Sequence, residues 1–214
     1  MKQMVLGRLT EAVLAYDPEG AEKWARQAVA EGIDPVEALN ALTNAIRQVG
    51  DGFETGELFL PDLVGAAGAM QAAMPVLQEQ IDRSGVVRRS LGVIVIGTAF
   101  GDIHTIGKTM VATLCAAEGF EVHDIGVNVT AEEFVASIKG TGADIVAISA
   151  LMTMTAPEIR KVIQLLSQEG LRDRVKVMVG GGGVTEWFAQ QVGADGYDPT
   201  APGAAKLARK LVGK

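Results

Sequence analysis

The sequence predicts an α/β protein made of a helical domain over residues 1–82 and a doubly wound parallel sheet over residues 91–214. Two observations predict this division. Apolar residues recur with helical spacing up to about residue 82, and short β-branched runs alternate with helical segments after residue 90. Residues 83–90 have no clear period, and we interpret them as a linker. The apolar fraction of 48% can fill such a core, which excludes a disordered chain.

The first domain is predicted to contain four helices. Asp17-Pro18 and Asp34-Pro35 each place a capping acid before a proline at the first helical position, so each pair predicts a helix start. The third helix is predicted to run to about residue 53, and Gly56-Glu57 to break it. The segment Leu58-Phe59-Leu60-Pro61-Asp62 follows, and the fourth helix is predicted to run on to about residue 81.

The second domain is predicted to contain five β–α repeats. The predicted strands are 91–97, 121–125, 144–149, 175–179 and 196–197, and the predicted helices are 105–118, 131–139, 156–168, 185–192 and 202–212. Repeats of this kind form a parallel sheet with helices on both faces. The size fits a flavodoxin-like, Rossmann-like domain of five parallel strands in the order 2-1-3-4-5.

Composition excludes several classes of function. A net charge of −7 with two Trp, two Tyr and six Phe argues against a basic stacking surface for nucleic acid. The single cysteine, Cys115, excludes a disulfide framework, and we interpret it as a small buried hydrophobe. No stretch approaches the ~18 uncharged apolar residues of a membrane span, and the start of the chain lacks the apolar region of a signal peptide. We therefore expect a cytoplasmic protein that does not contact a membrane.

Three loops with unusual residues follow predicted strands 1, 3 and 4. The first loop contains Asp102 and His104, the second is the hydroxyl-rich segment 149–155, and the third is the glycine run 180–183. In a doubly wound sheet, ligands bind beyond the carboxyl ends of the strands, at the point where the strand order reverses. The three loops are thus expected to meet at one edge of the sheet.

Each of these features also has an ordinary interpretation. A lone histidine in a loop can be structural, Asp102 can cap the following helix, and a glycine run can be a tight turn or a pyrophosphate site. The run from Gly101 to Gly107-Lys108-Thr109 is close to a phosphate-binding P-loop. Its glycines, however, are separated by one residue too many, and the carboxylate of Asp102 would repel a phosphate. We interpret Lys108 as a solvated helix residue.

The spacing of Asp102 and His104 suits a metal-bound imidazole. The second ring nitrogen of such a histidine is usually held by a carboxylate. With one histidine and no cysteine, this loop supplies a single ligand, which is too few for a zinc ion held by protein alone. A single ligand is enough where a macrocycle supplies the equatorial ligands.

These residues carry a family resemblance. Asp102-Ile103-His104-Thr105-Ile106-Gly107 resembles the D-x-H-x-x-G motif of cobalamin-binding domains, and Ser149-Ala150-Leu151 and Gly180-Gly181 resemble their S-x-L and GG motifs. Residues 56–63 resemble the helical cap domain of corrinoid methyl carriers. The chain is identified as a member of the methyltransferase cognate corrinoid proteins, which serve methanol, methylamine, glycine betaine or aryl-ether methyltransferases. It is also similar to the cobalamin module of methionine synthase.

The resemblance implies a role for each site residue. Cobalamin is expected to bind base-off/His-on, with His104 ligating the cobalt atom, Asp102 holding the other ring nitrogen and Thr155 supporting Asp102. Further implied contacts to the cofactor are Gly107, Ser149, Leu151, Thr153, Gly180, Gly181 and Tyr197. Gly180 and Gly181 are expected to let the nucleotide tail pass close to the backbone.

Two further expectations concern the cap and the glycine run. Phe59, with Leu58 and Leu63, either covers the upper face of the cofactor or belongs to the core of the helical domain. The family often has Ala-Pro after its glycine pair, whereas this chain has Gly182-Gly183, so we expect a looser loop there.

The resemblance also implies partners. A corrinoid protein of this kind carries a methyl group, as methylcobalamin, from a substrate-specific methyltransferase to a methyl-acceptor methyltransferase of the tetrahydrofolate or coenzyme M type. A reductive activator protein restores the cofactor. We therefore expect a non-autonomous methyl-carrier subunit with a hinge near residues 83–90, and the partner enzyme, not this chain, selects the methyl donor.

Three alternatives stay open at this point. A cobalamin-binding mutase subunit would share the His104 loop but would lack the segment 58–63. A cobalamin-dependent sensor would need a DNA-binding module, and residues 1–82 show no basic helix-turn-helix pattern. A nucleotide-binding protein of flavodoxin-like fold would be distinguished by the colour of the purified protein. His123, at a strand end, is interpreted as structural.

Overall fold

The computed structural model describes residues 1–84 and 90–213, which divide into two compact units, Met1–Arg89 and Ser90–Lys214. Of the predicted linker 83–90, residues 85–89 lie outside the described residues. The predicted fold class, a helical domain followed by a doubly wound parallel sheet, is confirmed.

The helical unit forms four helices within residues 1–84, as predicted. They are α1 (Lys2–Leu14), α2 (Pro18–Ala30), α3 (Pro35–Thr55) and α4 (Leu60–Ser84). The Asp17 side chain accepts a hydrogen bond from the backbone N–H of Gly20, and Asp34 accepts one from Val36, so both predicted caps form. α3 ends at Gly56, whose φ of 79° places it in the left-handed region that glycine adopts without strain.

α4 is the central helix of this unit. It packs against α1, α2 and α3, and Leu63, Met70 and Leu77 are fully buried. Within the described residues, α4 is also the one helix long and apolar enough to cross a membrane by length and composition. Its alanine-rich contacts with the other helices account for part of that apolar character, since 39% of the apolar window is buried.

The second unit is a five-stranded parallel sheet with the strand order β2-β1-β3-β4-β5, as predicted. Its elements are β1 (Val93–Thr98), α5 (Ile106–Glu118), β2 (Glu121–Asp124), α6 (Ala131–Thr141), β3 (Ile145–Ser149), α7 (Ala156–Gln168), β4 (Lys176–Gly180), α8 (Glu186–Val192), β5 (Gly196–Tyr197) and α9 (Ala201–Leu211). β1 begins and ends later than predicted, because its pairing with β3 extends to Thr98.

The register of the three central strands aligns their carboxyl ends. Thr98 of β1 pairs with Ser149 of β3, and Ser149 pairs with Gly180 of β4. All three strands therefore end in the same row of paired residues, and the loops that follow them start side by side. This alignment brings the three unusual loops to one edge.

Lys108 is not the solvated residue that the sequence predicts. Its side chain is 3% exposed, and its ammonium group forms an ion pair with both carboxylate oxygens of Asp124 at the end of β2. Asp124 also accepts a hydrogen bond from the backbone N–H of Gly126 at 2.9 Å. The ion pair ties the first turn of α5 to the edge strand β2.

Replacing Lys108 with Met should lower the free energy of unfolding by about 1–3 kcal/mol, because Asp124 loses a charged partner that is withdrawn from water. The measurement is urea unfolding of the two proteins. Lys139→Met is a matched control, since Lys139 pairs with Glu169 at 2.7 Å on the surface. An exposed pair should contribute less than about 1 kcal/mol. Equal losses in the two variants would contradict the buried role of Lys108.

Candidate functional site

Three loops meet at the carboxyl edge of the sheet, as the sequence predicts. The loop after β1 joins β3 through the N–H of Ala99, which donates to the carbonyl of Ser149 at 2.9 Å. The loop after β3 joins the loop after β4 through the N–H of Gly183, which donates to the carbonyl of Ala150 at 3.0 Å. The edge is therefore one hydrogen-bonded surface.

Asp102 is the buried centre of this edge, with 0% of its surface exposed. Its Oδ1 accepts from the ring Nδ1 of His104 at 2.7 Å and from the backbone N–H of His104 at 3.1 Å. Its Oδ2 accepts from the Thr155 hydroxyl at 2.8 Å and from the N–H groups of Leu151 and Met152 at 2.8 and 3.2 Å. Asp102 is thus a link between two loops and does not cap α5.

These hydrogen bonds decide the ionisation of Asp102. Burial acts to raise the pKa of the carboxyl, but the His104 ring, the Thr155 hydroxyl and the backbone N–H groups of His104 and Met152 act in the opposite direction. Together they hold the pKa of Asp102 well below its ordinary value. The group is a carboxylate at neutral pH.

An ionised carboxylate can only accept hydrogen bonds, so the proton between the two side chains lies on Nδ1 of His104. In the neutral form of the ring, the other nitrogen, Nε2, carries a lone pair, and it has no hydrogen-bond partner in the part of the chain that the structure describes. The side chain of His104 is 49% exposed. A neutral imidazole held on one side and open on the other is arranged to bind a metal.

The donor set fits a metal that brings most of its own ligands. Within residues 1–84 and 90–213, no group of three or more His, Cys, Asp or Glu side chains could hold a metal ion. His104 can therefore contribute one axial ligand but not a complete coordination sphere. A corrin ring, which surrounds cobalt with nitrogen atoms of its own, matches this donor set.

The loops after β1 and β3 carry several large apolar side chains that are exposed. The exposed large apolar residues of these loops and of the first helical residue of α5 are Phe100, Ile103, Ile106, Leu151, Met152 and Met154. Exposed apolar groups at a functional edge mark a surface that a ligand covers. Of these residues, the sequence analysis singled out only Leu151, although apolar residues in a loop are themselves a readable signal.

The glycine run packs closely against the loop after β3. A Cβ on Gly181, whose φ is +96°, would lie 2.4 Å from the carbonyl oxygen of Ala150. A Cβ on Gly183 would lie 2.5 Å from the carbonyl oxygen of Met152. The glycines thus let the loop after β4 pack on the loop after β3. The expectation of a looser loop at Gly182-Gly183 is wrong for the same reason.

The other predicted residues lie in varied surroundings. Ser149, at the end of β3, is half-buried, whereas Thr153 is exposed in the loop after β3. Tyr197 is half-buried on the edge strand β5. Gly107 lies in the first turn of α5, and a Cβ there would meet nothing within 4 Å. A Cβ on Gly180 would lie 3.2 Å from the carbonyl oxygen of Asp198.

The three apolar residues with two open interpretations, cofactor cover or helical core, divide into two groups. Leu63 is fully buried and belongs to the core, the second of the two interpretations. Phe59 is 67% exposed at the start of α4, where its N–H donates to Asp62 at 2.7 Å. Leu58 is half-buried.

Two polar residues that the sequence analysis missed hold the His104 loop. The hydroxyl of Thr98, the last residue of β1, donates to the carbonyl of His104 at 2.9 Å. The side-chain oxygen of Asn128 accepts from the N–H of Gly101 at 2.8 Å. Asn128 lies in the loop after β2, so only the parallel pairing of β1 with β2 brings it here.

Two residues away from the site are as the sequence indicates. Nε2 of His123 lies 2.7 Å from Oε1 of Glu121, within the same edge strand β2. Cys115 is buried, and this burial, with the nearby charge of Glu118, raises the pKa of its thiol to about 12. It packs as a small apolar residue.

Asp102→Asn should destabilise the protein most at neutral pH. The pKa of Asp102 is lower in the folded protein than in the unfolded chain, so the ionised group stabilises the fold above pH ~4, the ordinary pKa of aspartate. This stabilisation is lost as the pH falls towards the pKa of Asp102 in the folded protein. Urea unfolding of the cofactor-free protein should show a difference of about 1–3 kcal/mol at pH 7 that narrows at pH 3. Asp173→Asn, at an exposed position of the same unit, is the control. A difference independent of pH would contradict the ionised form.

The sequence matches two domain families, each described as a B12 binding domain, over residues 5–78 and 92–206. A corrinoid protein of Desulfitobacterium hafniense is 38% identical over 216 residues that span 100% of both chains. Dimethylamine corrinoid protein 1 of Methanosarcina mazei is 43% identical over 215 residues, covering 100% of this chain and 99% of that protein.

The fold matches a solved structure over the same length. The crystal structure of the methanol:cobalamin methyltransferase complex MtaBC from Methanosarcina barkeri aligns with a TM-score of 0.83 and 28% identity, covering 100% of this chain and 82% of that one. Both B12 binding domains are present, and the relatives align from end to end. The chain therefore belongs to the corrinoid protein family, and its cofactor is cobalamin.

Proposed function

We propose that this protein carries a methyl group between a substrate-specific methyltransferase and a methyl-acceptor methyltransferase, with cobalamin bound base-off and His104 as its axial ligand. One observation carries the proposal. Nδ1 of His104 is held 2.7 Å from the buried carboxylate of Asp102, while Nε2 is free on a half-exposed ring. This geometry supports His104, and no other histidine of the chain, as the ligand.

Cobalamin, when bound, supplies a cobalt atom that alternately accepts and releases a methyl group. Nε2 of His104 would donate its lone pair to the cobalt. Asp102 accepts the Nδ1 proton in a hydrogen bond and so fixes the orientation of the imidazole. Thr155 and the N–H groups of Leu151 and Met152 hold Asp102 in turn. The ring is therefore in place before any cofactor arrives.

The strength of this ligand depends on Asp102. A carboxylate that accepts the Nδ1 proton raises the electron density at Nε2. An imidazole held on the cobalt by His104 would favour its higher oxidation states over the nucleophilic state. Asp102 and His104 together therefore set how readily the cofactor reaches the state that attacks a methyl donor.

We assign the nucleotide tail of the cofactor to the other side of the same edge. We propose that its path is lined by Ser149, Thr153, Gly180, Gly181 and Tyr197. Gly107 would leave open space beside the corrin ring, since a Cβ there would meet nothing within 4 Å. The support is the alignment of Ser149 and Gly180 in one row at the strand ends.

The helical domain is proposed to cover the upper face of the corrin ring through Phe59. Its support is the exposure of this large aromatic side chain, which has no place in the core of its own unit. Exposed large apolar groups mark surfaces that are covered in the working protein.

The relatives suggest the kind of partner. Their names include dimethylamine and trimethylamine corrinoid proteins, and the matching structure is a methanol:cobalamin methyltransferase complex. We propose that this chain likewise docks with a methyltransferase specific for a small methylated substrate. An acceptor methyltransferase of the tetrahydrofolate or coenzyme M type and a reductive activator complete the system. The B12 binding domain over residues 5–78 disfavours a mutase subunit, which would lack it.

Replacing His104 with Ala should remove the axial ligand and leave the fold intact, since the residue lies in an exposed loop. Wild-type protein mixed with hydroxocobalamin and desalted should retain about one corrinoid per chain. Its Co(II) form should show nitrogen superhyperfine splitting in electron paramagnetic resonance. Labelling histidine with ¹⁵N should convert each triplet into a doublet, which separates a protein ligand from a base of the cofactor.

The same spectrum provides the controls. His123→Ala removes the other histidine of the chain, at a partly exposed position on β2, and should leave the splitting unchanged. Asp102→Asn should weaken the histidine signal but not abolish it. A spectrum insensitive to ¹⁵N-histidine in the wild type would refute His104 as the ligand.

Methyl transfer should require a second protein. The loaded chain alone should not demethylate methanol or a methylamine, and a cognate methyltransferase should restore turnover. With a net charge of −7, the association rate should respond to salt, because complementary charges mainly steer the encounter. The measurement is loss of donor methyl groups with and without the partner. Full-rate demethylation by the isolated chain would refute the carrier function.

A further inference from the structure

The loop that carries His104 is fixed by two side chains that the proposed function does not use. We propose that Thr98 and Asn128 are positioning residues for His104, and that they set the fraction of protein in which its imidazole reaches the cobalt. The proposal rests on the proposed role of His104 as axial ligand. Neither residue donates to or accepts from the imidazole ring, so each acts through the loop backbone.

Thr98 holds the end of the loop that bears the ligand. It is the last residue of β1 and fully buried, and its hydroxyl donates to the backbone carbonyl of His104 at 2.9 Å. Its own backbone is held from the other side, because its N–H donates to Gly126 and its carbonyl accepts from Val129, both at 3.0 Å. A fixed strand end thereby sets the position of the His104 main chain.

Asn128 holds the start of the loop. Its side-chain oxygen accepts from the N–H of Gly101, and its own N–H donates to the carbonyl of Asp102, both at 2.8 Å. Asn128 has a φ of 56°, in the left-handed region that asparagine adopts more readily than most residues. That conformation lets one residue bond the loop through both its side chain and its main chain.

The two residues act on the ligand by different routes: Thr98 through the main chain of His104, and Asn128 through the carboxylate partner Asp102. Asp102 can hold the imidazole in place only if its own main chain is held in place. Asn128 does this, because it forms hydrogen bonds with the main chain at Gly101 and Asp102. When these bonds are lost, the loop has more conformations to give up upon ligation. The balance should then shift from the histidine-bound to the histidine-free form by about 2- to 10-fold, the factor that one hydrogen bond contributes to an equilibrium.

Two variants remove one bond each. Thr98→Val has nearly the same shape and lacks the hydroxyl. Asn128→Gly keeps the left-handed backbone and the main-chain N–H donor but lacks the side-chain acceptor. Asn128→Asp keeps a side-chain acceptor and should behave like the wild type. Thr43→Val is the matched control, since Thr43 is buried in the helical unit and its hydroxyl donates to the Leu39 carbonyl at 2.9 Å.

The first measurement needs no cofactor. In the cofactor-free protein, Asn128→Gly should speed hydrogen exchange of the Gly101 amide about 2- to 10-fold, and Asn128→Asp should not. The second measurement is the ¹⁵N-histidine signal in the Co(II) spectrum. The ratio of histidine-bound to histidine-free cobalt should fall about 2- to 10-fold in Thr98→Val and in Asn128→Gly, and stay unchanged in Asn128→Asp and Thr43→Val.

The outcomes separate the two proposals. The positioning role would be overturned if the variants exchange the Gly101 amide faster, or melt at a lower temperature, while the ratio of histidine-bound to histidine-free cobalt stays unchanged. Thr98 and Asn128 would then be merely structural. The ligand assignment would survive that result. A wild-type protein without any histidine signal would instead overturn the proposed function itself. If Thr98→Val fails to fold, Asn128→Gly still decides the question, because its backbone conformation is preserved.

Discussion

The geometry of the site depends on one buried carboxylate. A charge withdrawn from water is costly unless donors surround it, and Asp102 satisfies this demand with donors from its own loop, from the loop after β3 and from Thr155. The position of His104 follows, because its ring Nδ1 is one of the donors. The same need draws the loops of two neighbouring strands together. The site is therefore a consequence of satisfying Asp102.

The glycine run extends this dependence to a third strand. Leu151 donates to Asp102 through its N–H, and the carbonyl of the preceding residue, Ala150, accepts from the N–H of Gly183. Gly181 and Gly183 approach the loop after β3 so closely that a Cβ on either would meet its backbone. The loop after β4 thus packs on the loop whose N–H groups donate to Asp102 and helps to hold it in place. This explains glycine at these positions from the protein alone, before any cofactor is considered.

The sequence predicts the features that depend on neighbouring residues. Asp17 and Asp34 cap helices a few residues away, and the β–α alternation predicts the parallel sheet. It misses contacts that depend on how elements pack. The buried ion pair of Lys108 with Asp124 requires α5 to lie against β2. Helical spacing likewise could not separate the buried Leu63 from the exposed Phe59, because Phe59 precedes the first residue of α4 and Leu63 lies within the helix.

The proposed carrier function explains why Asp102 has so many donors. Every additional hydrogen bond that lowers its pKa keeps the shared proton on Nδ1, so His104 stays a neutral imidazole and does not become an imidazolate. A neutral imidazole binds cobalt less tightly than an imidazolate does. If His104 holds the cobalt as proposed, a ligand of this moderate strength would suit a methyl carrier, because the ligand would have to bind reversibly. The donors around Asp102 thus serve reversible ligation as well as the stability of the loop.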